Sequence, residues 1–484
     1  MRLRRSSIVI SILVALGTAW GQTYEDPHFL NAHLISGGVG QDGIPALTNP
    51  LFVTPDEVHY LQPDDLVMGV VIEGQARAYP HNFGWWNEII NDRFEARSIA
   101  VTFCPLTASG LVFDATDTDG SQIEFGVSGM LINSNLVMYD RRDGQTLYPQ
   151  MIYTAINGDQ FGERLDLLPV VETTWAMWQR LYPETTVVQA GTGFDRYPDR
   201  QSRYTLERYT QYPYNHRTYG DYRTSDEFLL FRPTTNDGLL DSRLRIKAMV
   251  LGIQQGEHTR AYPFSEMPDG AIINDYVGEV PLVVIFDAGS NTAIPYYRKV
   301  NGQLLSFHTV ASQSELPLEF VDLETGSRWN MLGQAVAGPL QGSQLGQVPA
   351  YNAMWFAWAA YWPDTTIWSS GEGIVDVPSS VEIASSATQP LEFALRQNVP
   401  NPFNSETVIH FDLPVSSRAR LTIYNITGQP VRTLLDGYLD EGSYWRWWDG
   451  RNASGAAVAS GRYLYRLELP DAGLRQTRAM LLVR

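Results

Sequence analysis

Cysteine is all but absent: Cys104 stands alone in 484 residues, so no disulfide can close within the chain and packing has to hold the fold. Clusters of Lys and Arg are missing after the first five residues. The net charge is −18, and loss of Arg2, Arg4 and Arg5 with a cleaved leader takes it to −21, a balance that repels phosphate backbones and excludes nucleic acid as a partner. Beyond residue 16 no apolar run approaches the roughly 20 residues that cross a bilayer as a helix. Also missing are a Gly-rich phosphate loop, a His-Glu-x-x-His zinc helix and a Gly-x-Ser-x-Gly nucleophile turn. His81 and His308 fall in no metal-ligand spacing.

What the sequence does carry begins with an export signal. Arg2, Arg4 and Arg5 precede an apolar run over residues 8–16, and small residues Ala19 and Gly21 stand just ahead of Gln22. This order is that of a secretory leader, residues 1–21, cut before Gln22. The mature chain is therefore expected outside the cytoplasm, extracellular or on the outer cell surface. Hydrophobic residues make up 44% and charged residues 18%, a globular composition, and the length allows about three domains.

Sliding the sequence against itself exposes an internal repeat. At an offset of 183, Gly69 falls on Gly252, Arg77-Ala78-Tyr79-Pro80 on Arg260-Ala261-Tyr262-Pro263, and Ile89-Ile90-Asn91-Asp92 on Ile272-Ile273-Asn274-Asp275. Phe103 falls on Phe286 without a gap. The offset then drifts to 182 at Asp140 and Asp322 and to 180 at Ala155 and Ala335. Each copy closes on an aromatic segment, Trp175 with Trp178 and Trp355 with Trp358, followed by a proline and a Thr-Thr pair. Aromatics at i and i+3, stopped by proline, predict short helices over residues 172–182 and 351–361, with the tryptophans in the core.

Apolar runs at Met68 to Ile72 and Ile99 to Phe103 alternate as strands do and end in Gly, Asn and Asp turns. Residues 191–247, rich in Tyr and Arg, look like an irregular connection, and residues 371–390 have the Ser, Ala, Val and Pro content of a linker. The expected organisation is a leader over 1–21, a first copy over 22–190, a connection over 191–245, a second copy over 246–370, the linker over 371–390 and a C-terminal module over 391–484. The expected fold is β-rich α+β: two tandem homologous β-rich units with short helices, then an all-β sandwich.

The last module shows strands at residues 407–413, 419–425, 442–448 and 462–469, separated by turns at sandwich spacing. Asn398-Val399-Pro400-Asn401-Pro402-Phe403, Ile423-Tyr424-Asn425, Trp448-Asp449-Gly450 and Ala459-Ser460-Gly461 resemble the Ig-like domain of the flagellar hook-capping type and are similar to type IX secretion C-terminal sorting domains. The resemblance implies sorting or attachment at the cell surface, with the secretion machinery or cell envelope as partner.

In the core, Asp42-Gly43-Ile44-Pro45-Ala46, Arg77-Ala78-Tyr79-Pro80, Cys104-Pro105-Leu106 and Asn133-Ser134-Asn135 occur in the order seen in the bacterial domain of unknown function family 3179, which the chain resembles over both repeats. Members typically carry Trp-His-Glu where this chain has Trp86-Asn87-Glu88, and often a second cysteine where it has Thr107. A Cys-x-x-Cys beside an imidazole could hold copper or zinc, or run thiol chemistry. Here that set is reduced to Cys104, whose repeat partner is Asp287.

The candidate catalytic residues are thus Cys104, also the one candidate metal ligand, and Glu88. Arg77, Tyr79, Asn87, Asn133, Asn135 and Asp140 are candidates for binding a small molecule or surface ligand, because amides and carboxylates gathered on turns can orient one. Turn formation accounts for several of them equally well, Asn91-Asp92 with its copy Asn274-Asp275 above all. Two functions stand side by side: a surface-displayed binding or structural module, and an extracytoplasmic metalloprotein or thiol enzyme centred on Cys104.

Overall fold

The computed structural model describes residues 30, 33–210, 222, 225–226, 229–231, 240–310, 316–370, 393–398, 401–403, 407–439, 442–448 and 450–483. The leader and the 371–390 linker lie outside the described residues. The chain divides into two compact units, Met1–Asp376 and Val377–Arg484.

The first unit is built from two halves with matching sheets. In the first half, Val171–Thr174, Leu66–Ile72, Gln75–Pro80 and Thr186–Val188 lie side by side, the last pair parallel with Thr186 opposite Arg77. In the second half, Ala350–Met354, Met249–Gln255, His258–Pro263 and Thr366–Ile367 repeat the order, again parallel at the end with Thr366 opposite Arg260. The antiparallel run Ile89–Arg93, Ser98–Cys104 and Ser109–Asp114 corresponds to Ile272–Val277, Val280–Asp287 and Thr292–Tyr297. A third sheet around Phe125–Ile132 and Asn135–Asp140 corresponds to that of Phe307–Val310 and Glu319–Asp322.

Side-chain packing explains the glycines that first marked the repeat. A Cβ on Gly69 would sit 2.1 Å from the Trp178 ring, and one on Gly252 would sit 2.0 Å from the Trp358 ring. Each indole lies flat on the strand and donates to a threonine, Trp178 Nε1 to Thr185 Oγ1 at 2.8 Å and Trp358 Nε1 to Thr365 Oγ1 at 3.0 Å. That single arrangement accounts for the Gly, the Trp and the first Thr of each Thr-Thr pair. A buried indole needs a partner for its N–H, and the hydroxyl supplies it.

The aromatic segments differ from expectation at their starts. Residues 171–174 and 350–354 are strand, and the helices span only Trp175–Leu181 and Trp355–Tyr361. The Thr174 hydroxyl accepts from Met177 N and caps the first helix, so the helix cannot begin earlier. A further helix, His81–Asn87, was not legible, because His81-Asn82-Phe83-Gly84-Trp85-Trp86 shows no apolar period.

Two core clusters draw on both halves, while a third, around Leu251, Tyr262, Phe286 and Trp368, is drawn from the second. Val67, Met68 and Trp178 of the first pack in one cluster with Val283, Phe307 and Trp329 of the second. Cys104, Leu111 and Ile132 join Trp355, Trp358 and Tyr361 in another. The exchange is reciprocal: Val171–Thr174 packs on Thr292–Tyr297, and Ala350–Met354 packs on Ser109–Asp114. Thr173 and Thr292 meet there through their hydroxyls at 2.5 Å.

The second unit is a two-sheet sandwich. One sheet runs Pro430–Leu439, Ser417–Asn425, Gly461–Leu469 and Leu474–Leu482, the other Ala394–Leu395, Thr407–Leu413 and Gly442–Trp448. Leu395, Phe403, Ile409, Phe411, Trp448, Tyr465 and Leu467 fill its interior. Trp448 donates to the Arg451 carbonyl at 2.8 Å, which ties the strand to the Asn452 turn. The strands Pro430–Leu439 and Leu474–Leu482 were not expected; exposed Thr433, Asp436, Arg475, Thr477 and Arg478 interrupt their apolar residues without strict alternation, which hides their period.

Candidate functional site

Cys104 ends the strand Ser98–Cys104, as the sequence suggests, but it is buried there rather than presented at the surface. Its side chain is 2% exposed, among Leu106, Leu111, Ile132 and Tyr361, with Sγ 3.6 Å from the Ser134 carbonyl. Residues of the connection lie across it: Tyr222 donates to the Leu106 carbonyl at 2.8 Å, and Ser134 donates to the Phe231 carbonyl at 2.6 Å. Burial, with a smaller push from the Glu88 carboxylate, raises the thiol pKa to about 11.

Glu88 is next to it because it closes the helix His81–Asn87. Its φ of 60° turns the chain, its N–H donates to Gly84 O, and its carbonyl accepts from Phe103 N at 2.8 Å. Loss of hydration pushes the carboxyl up to about 8, although the residue as a whole is only half-buried. At pH 7 both the thiol and this carboxyl are mainly protonated.

The positions where the family resemblance leads to the expectation of His and a second Cys, Asn87 and Thr107, are occupied otherwise. Asn87 donates to the Pro45 carbonyl at 2.9 Å and accepts from Tyr209 Oη at 2.9 Å. Thr107 belongs to a polar network with no exposed member: Asn135 Nδ2 donates to Thr107 Oγ1 at 3.0 Å and to Gln150 Oε1 at 2.8 Å, and Gln150 Nε2 donates to Thr102 Oγ1 at 2.9 Å. Ser109 bridges Thr107 and Gln150, each at 2.8 Å. Gln150 gave no sequence signal. These donors are hydroxyls and amides, and among the described residues no three His, Cys, Asp or Glu side chains gather to hold a metal. The set does not fit copper or zinc, which take thiolate and imidazole.

Of the remaining candidates, Asn133 and Asn135 flank the Ser134 carbonyl that meets Cys104, whereas Arg77, Tyr79 and Asp140 are held by other partners. Asn133 and Ser134, at φ 49° and 65°, form the two-residue turn between Phe125–Ile132 and Asn135–Asp140. Arg77 donates to Asp92 at 2.7 Å and lies between the Phe52 and Phe94 rings, while Tyr79 donates to the same carboxylate at 2.5 Å. Arg260, Tyr262 and Asp275 repeat this triad in the second half. Burial raises the Asp92 pKa in spite of Arg77. Asp140 accepts from the Arg142 backbone and guanidinium.

Asn91-Asp92 and Asn274-Asp275 are not turns. Both pairs lie within strands, Ile89–Arg93 and Ile272–Val277, because their side chains find buried partners there. Sequence spacing also left His81 alone, whereas its Nε2 lies 3.7 Å from Glu172 Oε2, both side chains buried. Phe264 and Asn352 occupy the corresponding places in the second half.

Known proteins give this layout a family. The family model described as Protein of unknown function (DUF3179) matches residues 41–365, more than half of the chain. The chain belongs to that family. The FlgD Ig-like domain matches residues 399–473. No curated protein matches.

Three solved structures match parts of the chain at low identity and low TM-score. FlgD from P. aeruginosa is 24% identical over 16% of this chain and 58% of its own, at a TM-score of 0.14. PorZ, a bacterial surface component of the type-IX secretion system of Porphyromonas gingivalis, is 10% identical over 82% and 52%, at 0.15. Dimeric latent PorU from Porphyromonas gingivalis is 10% identical over 80% and 31%, at 0.17. The chain spans less than two thirds of the length of each.

Proposed function

We infer that this is an exported, surface-associated protein whose duplicated core binds or supports other molecules and performs no chemistry at Cys104. The leader over 1–21 directs export, the halves 22–190 and 246–370 are two copies of one folding unit, and the module 391–484, joined by the 371–390 linker, serves sorting or attachment to the secretion machinery or cell envelope.

One observation carries the non-catalytic reading: the Cys104 thiol is sealed in an apolar cluster with its pKa raised to about 11, and the neighbouring positions Asn87 and Thr107 are consumed by internal hydrogen bonds. A thiol works as a nucleophile or soft ligand only as the thiolate. Burial beside a mainly protonated Glu88 removes that form at neutral pH.

The test is thiol titration of the native mature protein together with elemental analysis, beside a Cys104→Ser variant. Cys104 should react only after unfolding, and wild type and variant should carry the same trace of metal. Rapid modification of the native thiol, or stoichiometric copper or zinc lost in Cys104→Ser, would overturn the reading. Deleting residues 391–484 and fractionating cells tests the sorting role: retention at the surface without them defeats it.

A further inference from the structure

A cleft of about 250 Å³ opens in the first unit where the halves meet. Tyr153, Arg164 and Asp166 line it from the first half, and Gln254, Tyr297 and Tyr351 from the second. At its mouth an exposed arginine is held in place. The Arg164 guanidinium donates to Tyr153 Oη at 2.7 Å and to Gln254 Oε1 at 2.9 Å, lies 4.5 Å from the centre of the Tyr153 ring, and Tyr153 Oη itself donates to Gln254 at 2.8 Å.

The other half shows what this corner looks like without such a site. The isolated bridges Thr154 to Arg164 and Gln334 to Gln344 occupy the same place in the two halves. They put Tyr153 opposite Gly333 and Arg164 opposite Gln344. Gly333 has a φ of 72°, the left-handed region, and a Cβ there would lie 2.8 Å from the Tyr296 ring. Tyr153 adopts that conformation too, at φ 42°, where a bulky side chain is strained. By the same correspondence Gln254, Tyr297 and Tyr351 replace Val71, Asp114 and Val171. One of two matching corners has thus gained an arginine, a glutamine and three tyrosines, one of them against its backbone preference.

We propose that this cleft binds a small, ring-bearing monocarboxylate, with Arg164 taking the carboxylate and the Tyr297 and Tyr351 side chains flanking the ring. A guanidinium whose direction is already fixed loses little freedom on pairing with a planar carboxylate. The volume lies just under that of drug-sized sites, which suits one ring. Asp166 on the rim opposes a second negative charge, so a phosphate dianion is disfavoured. The proposal deepens the binding reading above; the Cys104 titration tests that reading on its own and does not depend on the outcome here.

The experiment titrates the full mature chain with benzoate and with D-glucuronate by ligand-observed NMR, with benzamide and D-glucose as uncharged counterparts. At least one acid should bind saturably and about tenfold or more tighter than its neutral counterpart. Arg164→Gln, which installs the second half's own residue, should weaken that acid about tenfold at an unchanged unfolding midpoint. Tyr153→Phe keeps the ring but removes the hydroxyl that aims the guanidinium, and should also weaken it. Asp166→Asn, on an exposed side chain, should tighten it. Benzoate alone identifies an aromatic acid and glucuronate alone an acidic sugar, and either supports the site. No saturable binding of either acid, equal binding of acid and neutral forms, or affinity indifferent to both Arg164→Gln and Asp166→Asn would overturn it.

Discussion

Asn91 holds the main chain of Phe125 at two points: its Oδ1 accepts from Phe125 N at 2.8 Å, and its Nδ2 donates to Phe125 O at 2.9 Å. Asn274 grips Phe307 in the same way, at 2.8 and 2.6 Å. A side-chain amide here does what a neighbouring strand would do. It fixes where the third sheet of each half starts against the second, deep in the structure where water cannot substitute.

Asn91→Ala should therefore strand a buried backbone N–H and C=O together and cost about 2–4 kcal/mol, the sum of two unsatisfied groups less the relaxation around them. Asn91→Asp keeps the acceptor, loses the donor and buries a charge, so it should cost at least as much at pH 7. Urea unfolding followed by tryptophan fluorescence measures both. A loss below about 0.5 kcal/mol for Asn91→Ala would mean that the clip is dispensable.

Gly69→Ala and Gly252→Ala each drive a methyl into an indole that lies on the strand, and each should lose about 1–3 kcal/mol through overpacking. The link to the ring is specific. In the background of Trp178→Leu, Gly69→Ala should cost less than in wild type, and a double-mutant cycle reads the difference as a coupling energy. Additive losses would show that Trp178 is not what excludes the methyl.

How much of this was legible in the sequence depends on what each residue's partner is. Gly69, Arg77, Asn91 and Trp178 repeat in the sequence because their partners repeat with them, so the two β-rich halves and the tryptophan-filled core could be read directly. Asn91-Asp92 reads locally as a turn because Asn and Asp favour turns, and only the tertiary partners Phe125 and Arg77 reveal a strand. Cys104 shows the limit on the site side. Strand-end position was readable, but the cover from Tyr222, Phe231 and Tyr361 comes from residues far along the chain that no local pattern links to it.

Among the described residues Trp448 is the largest fully buried side chain of the C-terminal sandwich, packed 5.0 Å from the Tyr463 ring in a core that includes Leu395, Phe411, Tyr465 and Leu482. Trp448→Ala should cost the sandwich about 3–5 kcal/mol. In calorimetry of the full chain the variant should lower one transition and leave the other in place. A single transition that moves as a whole would mean that the two units unfold together.

Glu88 sets a pH dependence whose direction follows from its environment. Its folded pKa of about 8 lies above the model-peptide value of 4.5, so between those limits the folded chain holds a proton that the unfolded chain has released. Stability from this group is greatest below about pH 4.5, declines as pH rises through the window, and is constant again above about 8. Glu88→Gln, which cannot ionise, should match wild type near pH 4.5 and exceed it at pH 8 by about 1–2 kcal/mol, a figure reduced for the half-buried setting of the residue. Unfolding midpoints of both proteins between pH 4.5 and 9 decide the matter: parallel curves would mean that the Glu88 carboxyl ionises in the folded protein as readily as in the unfolded one. The native Cys104 thiol should then also titrate higher in wild type than in Glu88→Gln, because the carboxylate that forms near pH 8 opposes a thiolate beside it.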